Sequence, residues 1–154
     1  MSDWEIREYA SEDFEECREI IEKATSSIDT KYSSEELEHL EQAVPDMVAE
    51  LAEKDEFKFY VAENETITGV AGFHPKGKIA GIFIHPDHQR EGIGRKLMQK
   101  IDNEAEKEGV EELEVSASIT AKEFYEKFGF KTIEETESEI EGKYIPIYKM
   151  KKKL

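Results

Sequence analysis

The residues best suited to chemistry lie in the run Gln89-Arg90-Glu91-Gly92-Ile93-Gly94-Arg95-Lys96. Its two glycines open a stretch with Ile93, Leu97, Met98, Ile101 and Ala105 at helical spacing. The first turn of a helix has backbone N–H groups without partners, and the helix dipole adds partial positive charge there. Glycines let an anion approach that backbone closely. Arg90, Arg95, Lys96 and Lys100 surround the turn, opposed only by Glu91. Such a turn suits a pyrophosphate. Just upstream, Ile79, Ile82, Phe83 and Ile84 make an apolar run fit for a buried strand. His85-Pro86-Asp87 ends it, because proline cannot donate to a ladder.

Spacing narrows the ligand. A dinucleotide fingerprint needs Gly-x-Gly-x-x-Gly, and position 97 is Leu. A Walker loop needs Gly-Lys-Ser/Thr, and Gly94 is followed by Arg95 and Lys96. The order strand, His85-Pro86, Gln89-x-x-Gly92-x-Gly94, helix resembles the acetyl-CoA-binding motif of the GCN5-related N-acetyltransferases, Gln/Arg-x-x-Gly-x-Gly/Ala. Downstream, Ser118-x-x-Ala121-x-x-Phe124-Tyr125-x-x-x-Gly129-Phe130 is similar to that family's later pattern, Asn-x-x-Ala-x-x-x-Tyr-x-x-x-Gly-Phe. Ser118 stands where the family usually has Asn. A hydroxyl still hydrogen-bonds, with shorter reach and fewer groups. The resemblance covers Ile79 to about Ile133.

The resemblance implies a GNAT-like acyl-CoA N-acyltransferase fold of the α/β (α+β) class. Its central sheet is mixed, of about seven strands and mostly antiparallel, with helices on both faces. Residues 1–154 would form one domain. It also implies that Ile79–Ile84 and Leu113–Ala117 splay apart to admit the pantetheine arm of acetyl-CoA. Backbone groups left unpaired there need a partner, and the backbone of Phe83 and Ile84 would meet the arm. Gln89, Arg90, Glu91, Gly92, Ile93, Gly94 and Arg95 would hold the pyrophosphate, with Ser118 and Ala121 completing the cofactor site. Tyr125 becomes the candidate general acid at the departing sulfur. A phenol with a pKa of about 10 keeps its proton at neutral pH and can donate it.

The implied reaction is direct attack by a primary amine, of a small molecule or a protein, on the thioester of acetyl-CoA in a ternary complex, with no metal. An alkyl amine of pKa ~10.4 must first lose a proton. Relatives often carry a carboxylate on the strand before the loop, where this chain has Ala80 and Gly81. The base is then open between a water chain to another group and His74. His74 and His85 each precede a proline at a strand end, which fits shaping a turn better than moving protons. Tyr32, Ser33 and His39 fall where relatives shape the acceptor pocket, and none is given a role. The alternative is a non-catalytic acyl-CoA-binding or regulatory domain. Dimers are common among relatives, so a homodimer is an open alternative too.

The remaining elements must position these residues. Trp4–Arg7 alternates as a half-buried strand. Ser11 can cap a helix from about Glu12 to Ala24, with Thr25–Tyr32 as a loop. Ser33 and Glu36 suit a capping box for a second helix, kinked or restarted at Pro45. Phe57–Ala62 and Thr66–Phe73 read as a hairpin that continues into the Ile79 strand as an antiparallel meander. Gly109 stops the long helix. Leu113–Ala117 is the next strand, and Thr120 with Glu123 suits a capping box for a short helix. Phe130–Ile133 and Tyr144–Met150 are expected as the last strands, joined by the acidic stretch Glu134–Glu141. The tail Lys151–Lys153 is expected to be solvated.

Composition sets the outer limits. The 154 residues suit one domain with a proper core. A formal charge of −16 argues against nucleic-acid or anionic-membrane partners. No apolar run is long enough to span a bilayer and there is no signal peptide, so a cytoplasmic location is expected. Cys17, the one cysteine, falls in step with Phe14, Ile20 and Ile21 and reads as a small core residue.

Overall fold

A computed structural model of the protein describes residues 4–26, 32–54 and 56–154. The chain runs β1 (Glu5–Glu8), a 3-10 turn at Ser11–Asp13, α1 (Phe14–Ser26) and α2 (Ser34–Glu53). The meander follows as β2 (Lys58–Glu63), β3 (Ile67–Phe73) and β4 (Ile79–Ile84). A second 3-10 turn, Pro86–His88, leads into α3 (Ile93–Lys107). The chain closes with β5 (Glu112–Ser118), α4 (Lys122–Lys127), β6 (Lys131–Ile140) and β7 (Lys143–Lys153).

Strands β1-β2-β3-β4 form one antiparallel sheet and β5-β7-β6 another. Both faces of the first sheet are covered, as strand alternation allows. Phe59, Val61 and Val70 pack with Cys17, Ile20, Ile21 and Val48 of α1 and α2. Tyr60, Ala62 and Ala71 pack with Leu97, Met98 and Ile101 of α3. That second cluster continues through Leu113, Val115 and Ala117 of β5 to Met150 of β7, so one core spans both sheets. Truncating Leu97 or Ile101 to alanine is expected to cost about 2–5 kcal/mol. Cys17 is buried as the spacing implied, and burial pushes its thiol up to about 12.

The two sheets meet at one end only. Lys78 and Glu114 form a parallel bridge, and Glu114 N donates to Gly77 O at 2.8 Å. Beyond it, β4 and β5 make no ladder among the described residues. A bulge accounts for the divergence. Gly72 pairs with Gly81 and Phe73 with Ile79, so Ala80 is an extra residue on β4, and a bulge bends its strand.

Several expectations need correction. Ser11 does not cap α1. Asp13 reaches back to Ala10 N at 2.8 Å instead, and the 3-10 turn precedes the helix. Thr25 and Ser26 belong to α1, while residues 27–31 of the expected loop lie outside the described residues. Helix α2 runs through Pro45 as one segment, with the Ser33–Glu36 capping box formed. The acidic stretch is not a connection. It is most of β6, which pairs with β7 from Lys131 to Ile140 around the turn at Glu141-Gly142. Lys151–Lys153 is the end of β7. There Lys151 pairs with Glu112, and Lys152 reaches Asp102 at 2.9 Å.

Candidate active site

Hydrogen-bond alternation decides what the gap between β4 and β5 offers. His85 N donates to Thr68 O at 2.8 Å, just past the Ile84–Gly69 rung. Residues of an antiparallel strand turn their peptide groups alternately toward and away from one neighbour. Phe83 therefore turns its backbone toward Val70, and Ile84 turns its own into the gap. Gln89 Nε2 already donates to Ile84 O at 3.3 Å, folding the loop back onto the end of β4. The expectation that Phe83 and Ile84 share a backbone contact narrows to Ile84, and the Phe83 side chain packs on the α1–α2 side.

The loop after β4 is held in an unusual backbone shape. His85 Nδ1 accepts from Asp87 N at 3.0 Å and caps the 3-10 turn, and His74 Nδ1 likewise accepts from Lys76 N at 3.0 Å. Both histidines shape turns. Arg90 has φ 65° and Gly92 φ 83°, both left-handed. Left-handed residues leading into a right-handed turn gather successive N–H groups into an anion-binding concavity.

Gly92 is the N-cap of α3 and offers no side-chain acceptor. The first intrahelical bond runs from Lys96 N to Gly92 O at 3.1 Å, so the amides of Ile93, Gly94 and Arg95 are left for an outside partner. No acidic residue lies in this first turn. Arg90, Arg95 and Lys96 are exposed and have no ion-pair partner among the described residues. Glu91 is exposed and lies 3.3 Å from His88. Lys100 does not join the cluster, because it bonds Glu104 at 3.0 Å and sits over the Tyr60 ring.

The two glycines serve different ends. A Cβ on Gly92 would meet nothing within 4 Å, so glycine is favoured there by the left-handed φ of 83° and not by crowding. A Cβ on Gly94 would lie 2.8 Å from the Phe124 ring. Gly94 is small because α4 packs against it. Ile93 keeps its side chain in the core, so only its backbone can meet a ligand.

Helix α4 begins later than expected. Its N-cap is Ala121, and no Thr120–Glu123 box forms. Ser118 Oγ instead accepts from the Ala121 amide, at 3.1 Å. Thr120 Oγ1 is buried with no hydrogen-bond partner. Tyr125 is 4% exposed, its ring edge-on to Phe124 and Phe130. Its hydroxyl has no hydrogen-bond partner among the described residues. Burial raises its pKa further above the ordinary value, so it stays protonated at neutral pH. Among the described residues no group of three or more His, Cys, Asp or Glu is placed to hold a metal, and no helix is long and apolar enough to cross a membrane.

Sequence reasoning named Tyr32 and gave it no role. Its hydroxyl donates to Pro146 O at 2.9 Å and accepts from Ile119 N at 3.0 Å. Its signals in sequence are its place just before the Ser33 cap and its fall in the stretch where the resemblance puts the acceptor side.

The comparisons bear on the family and the fold. Residues 28–154 match the acetyltransferase (GNAT) domain model. The chain belongs to the GNAT acetyltransferase family. It is 28% identical to the uncharacterized N-acetyltransferase YafP of Escherichia coli, over 99% of this chain and 98% of that protein. Among solved structures it superposes on a GCN5-related N-acetyltransferase from Rhodopseudomonas palustris with TM-score 0.90 and 25% identity, covering 100% of this chain and 98% of that one. The PaiA N-acetyltransferase from Thermoplasma acidophilum, solved with coenzyme A, matches over the full length of both chains with TM-score 0.76 and 21% identity. The fold is the mixed α/β fold of these proteins.

Proposed function

We propose that the protein is an N-acetyltransferase that moves an acetyl group from acetyl-CoA to a primary amine of a small molecule or protein, by direct attack in a ternary complex. The observation that carries this reading is the uncapped, acid-free first turn of α3, set beside a gap into which Ile84 turns its backbone. The coenzyme A bound by PaiA is the ligand such a turn suits. Acetyl-CoA supplies the thioester carbonyl as acyl donor. The amides of Ile93, Gly94 and Arg95, with the cations Arg90, Arg95 and Lys96, hold the pyrophosphate. Gln89 and Glu91 shape the same loop through Ile84 and His88. Ile84 receives the pantetheine arm, and Ser118 and Ala121 flank it at the start of α4. The C–S bond breaks as the C–N bond forms; Tyr125 gives its proton to the leaving sulfur, and the proton shed by the amine nitrogen passes through water and restores the phenol.

A panel of amines with acetyl-CoA, read by released thiol, tests the activity. Thiol release that depends on both partners is expected. Tyr125→Phe is expected to lower kcat by roughly 10²–10⁴ while acetyl-CoA affinity holds. Unchanged turnover takes Tyr125 out of the mechanism. A second reading rests on Ala80 and Gly81, which put no carboxylate at the β4 bulge. It makes the protein a non-catalytic acyl-CoA-binding domain, with calorimetric binding of acetyl-CoA and no thiol release from any amine.

A further inference from the structure

We infer that Tyr32 is a positioning residue that clamps the turn between β5 and α4 and thereby aims Tyr125; this inference rests on the acetyltransferase reading. The β5–β7 ladder ends at the rung Ser118–Ile147. The next residue along β7 is Pro146, which has no N–H and cannot donate a further rung. The Tyr32 hydroxyl takes that place. It accepts from Ile119 N at 3.0 Å and donates to Pro146 O at 2.9 Å, bridging the two strand ends where the ladder stops.

The bonds then run on without a break. Ile119 is followed by a turn in which the Ser118 carbonyl and Oγ both accept from Ala121 N at 3.1 Å. Tyr125 N donates to Ala121 O at 3.1 Å. Both candidate cofactor contacts, Ser118 and Ala121, lie inside this clamped turn, and Tyr125 is one helical turn further on.

The hydroxyl is not needed for packing. The Tyr32 ring sits with Leu40 of α2 and Ile145 of β7, a cluster that phenylalanine would fill equally well. Burying a phenolic oxygen is unfavourable unless it is bonded, and here it both donates and accepts. The bond also ties the residue just before the α2 cap to the turn that leads to Tyr125. His39 makes a neighbouring tie from α2 to the carbonyl of Ile140 on β6.

The test compares Tyr32→Phe with Leu40→Ala, which loosens the same cluster and leaves the hydroxyl in place. Backbone amide exchange is followed over residues 118–125, and kcat and KM are measured with an amine that supports turnover. For Tyr32→Phe, exchange at Ile119 is expected to quicken at least tenfold. Its kcat should fall about tenfold or more, as small misplacements of catalytic groups do, while KM for acetyl-CoA stays within threefold. Leu40→Ala is expected to lower the melting temperature more and to keep kcat within twofold. Exchange at Ile119 that does not change, or kcat that falls alike in both variants, overturns the clamp. A wild-type protein that releases no thiol with any amine removes the acetyltransferase reading and the positioning role of Tyr32 with it. An active wild type matched by Tyr32→Phe overturns the clamp alone.

Discussion

At the start of α2, Ser33 Oγ accepts from Glu36 N, and Glu36 returns a carboxylate oxygen to Ser33 N at 2.9 Å. At the start of α3, Gly92 offers no side chain and no acid follows in the first turn. Both helices carry the same unpaired amides and the same positive end of a dipole. α2 satisfies the Glu36 amide from its own sequence and sets the acids Glu35 and Glu36 beside the others. The segment leading to α1 does the same with Asp13. A helix start that closes itself stabilises the fold. One left open, among three exposed cations in a chain of charge −16, is where the pyrophosphate is proposed to bind.

The largest break in this contrast is to put an acid into the open turn. Gly92→Glu introduces bulk and negative charge where the pyrophosphate is proposed to sit. Acetyl-CoA affinity by calorimetry is expected to fall at least 100-fold. The melting temperature should fall only modestly. A Cβ there meets nothing within 4 Å, and the left-handed conformation costs a non-glycine residue about 1 kcal/mol. Unchanged affinity would remove the loop from the cofactor site. Gly94→Glu cannot serve as the same test, because Phe124 occupies the space a side chain needs.

Acid should act on the start closed by Asp13. Arg7 makes two bonds of 2.9 Å to the Asp13 carboxylate and also bonds Glu63. The Arg7 bonds hold the Asp13 carboxyl below its ordinary 3.8 against the opposing effect of burial, and Ala10 N–H adds to the lowering. A depressed folded-state pKa gives stability that is complete above the unfolded value and is lost as pH falls through the folded one. The melting temperature of wild type should therefore drop from pH 5 to below pH 3. Asp13→Asn should be destabilised by about 2 kcal/mol at pH 7 and show a shallower acid drop. Parallel pH curves for the two proteins would show that Asp13 contributes nothing.

What the sequence could show divides along contact range. The strand–loop–helix of Ile79–Ile101 is local, so its apolar periodicity, its glycines and the Ser33–Glu36 box were all readable. The role of Gly94 was not, because Phe124 lies thirty residues away. The acidic stretch looked like a loop because its carboxylates face water. It is a strand because β7 pairs with it and brings Lys149 to Glu134. The short α4 misled for a related reason. Ser118, on the preceding strand, bonds the Ala121 amide, and the Thr120 bond expected to the Glu123 amide does not form. Tyr32 was invisible in its role, since its partners lie 87 and 114 positions away.

The cations sharpen the contrast in smaller steps. Arg90→Ala, Arg95→Ala and Lys96→Ala should each weaken acetyl-CoA about 3- to 10-fold, an exposed charge at a helix start being worth about 1 kcal/mol or less. Raising salt from 0.05 to 0.5 M shortens the reach of such charges. It should weaken wild-type binding more than binding by the triple variant. Lys100→Ala should leave affinity unchanged, since its charge is engaged by Glu104. An effect of Lys100→Ala equal to that of Arg95→Ala would mean the whole face, and not the turn, attracts the cofactor.

The smallest effect on binding is expected where the contrast is reversed. Ser33→Ala opens the start of α2 by removing the oxygen that Glu36 N uses. Stability should fall by about 1 kcal/mol, roughly 2–4 °C in melting temperature for a domain of this size. Acetyl-CoA affinity and kcat should not change, and the opened turn should gain no affinity for inorganic phosphate. Freed amides alone do not make an anion site, because Glu35 and Glu36 still stand beside them and no exposed cation lies within the turn. Phosphate protection of Ser33→Ala against heat, absent in wild type, would show that bare amides suffice. The special standing of Gly92, Arg90, Arg95 and Lys96 would then reduce to a missing cap.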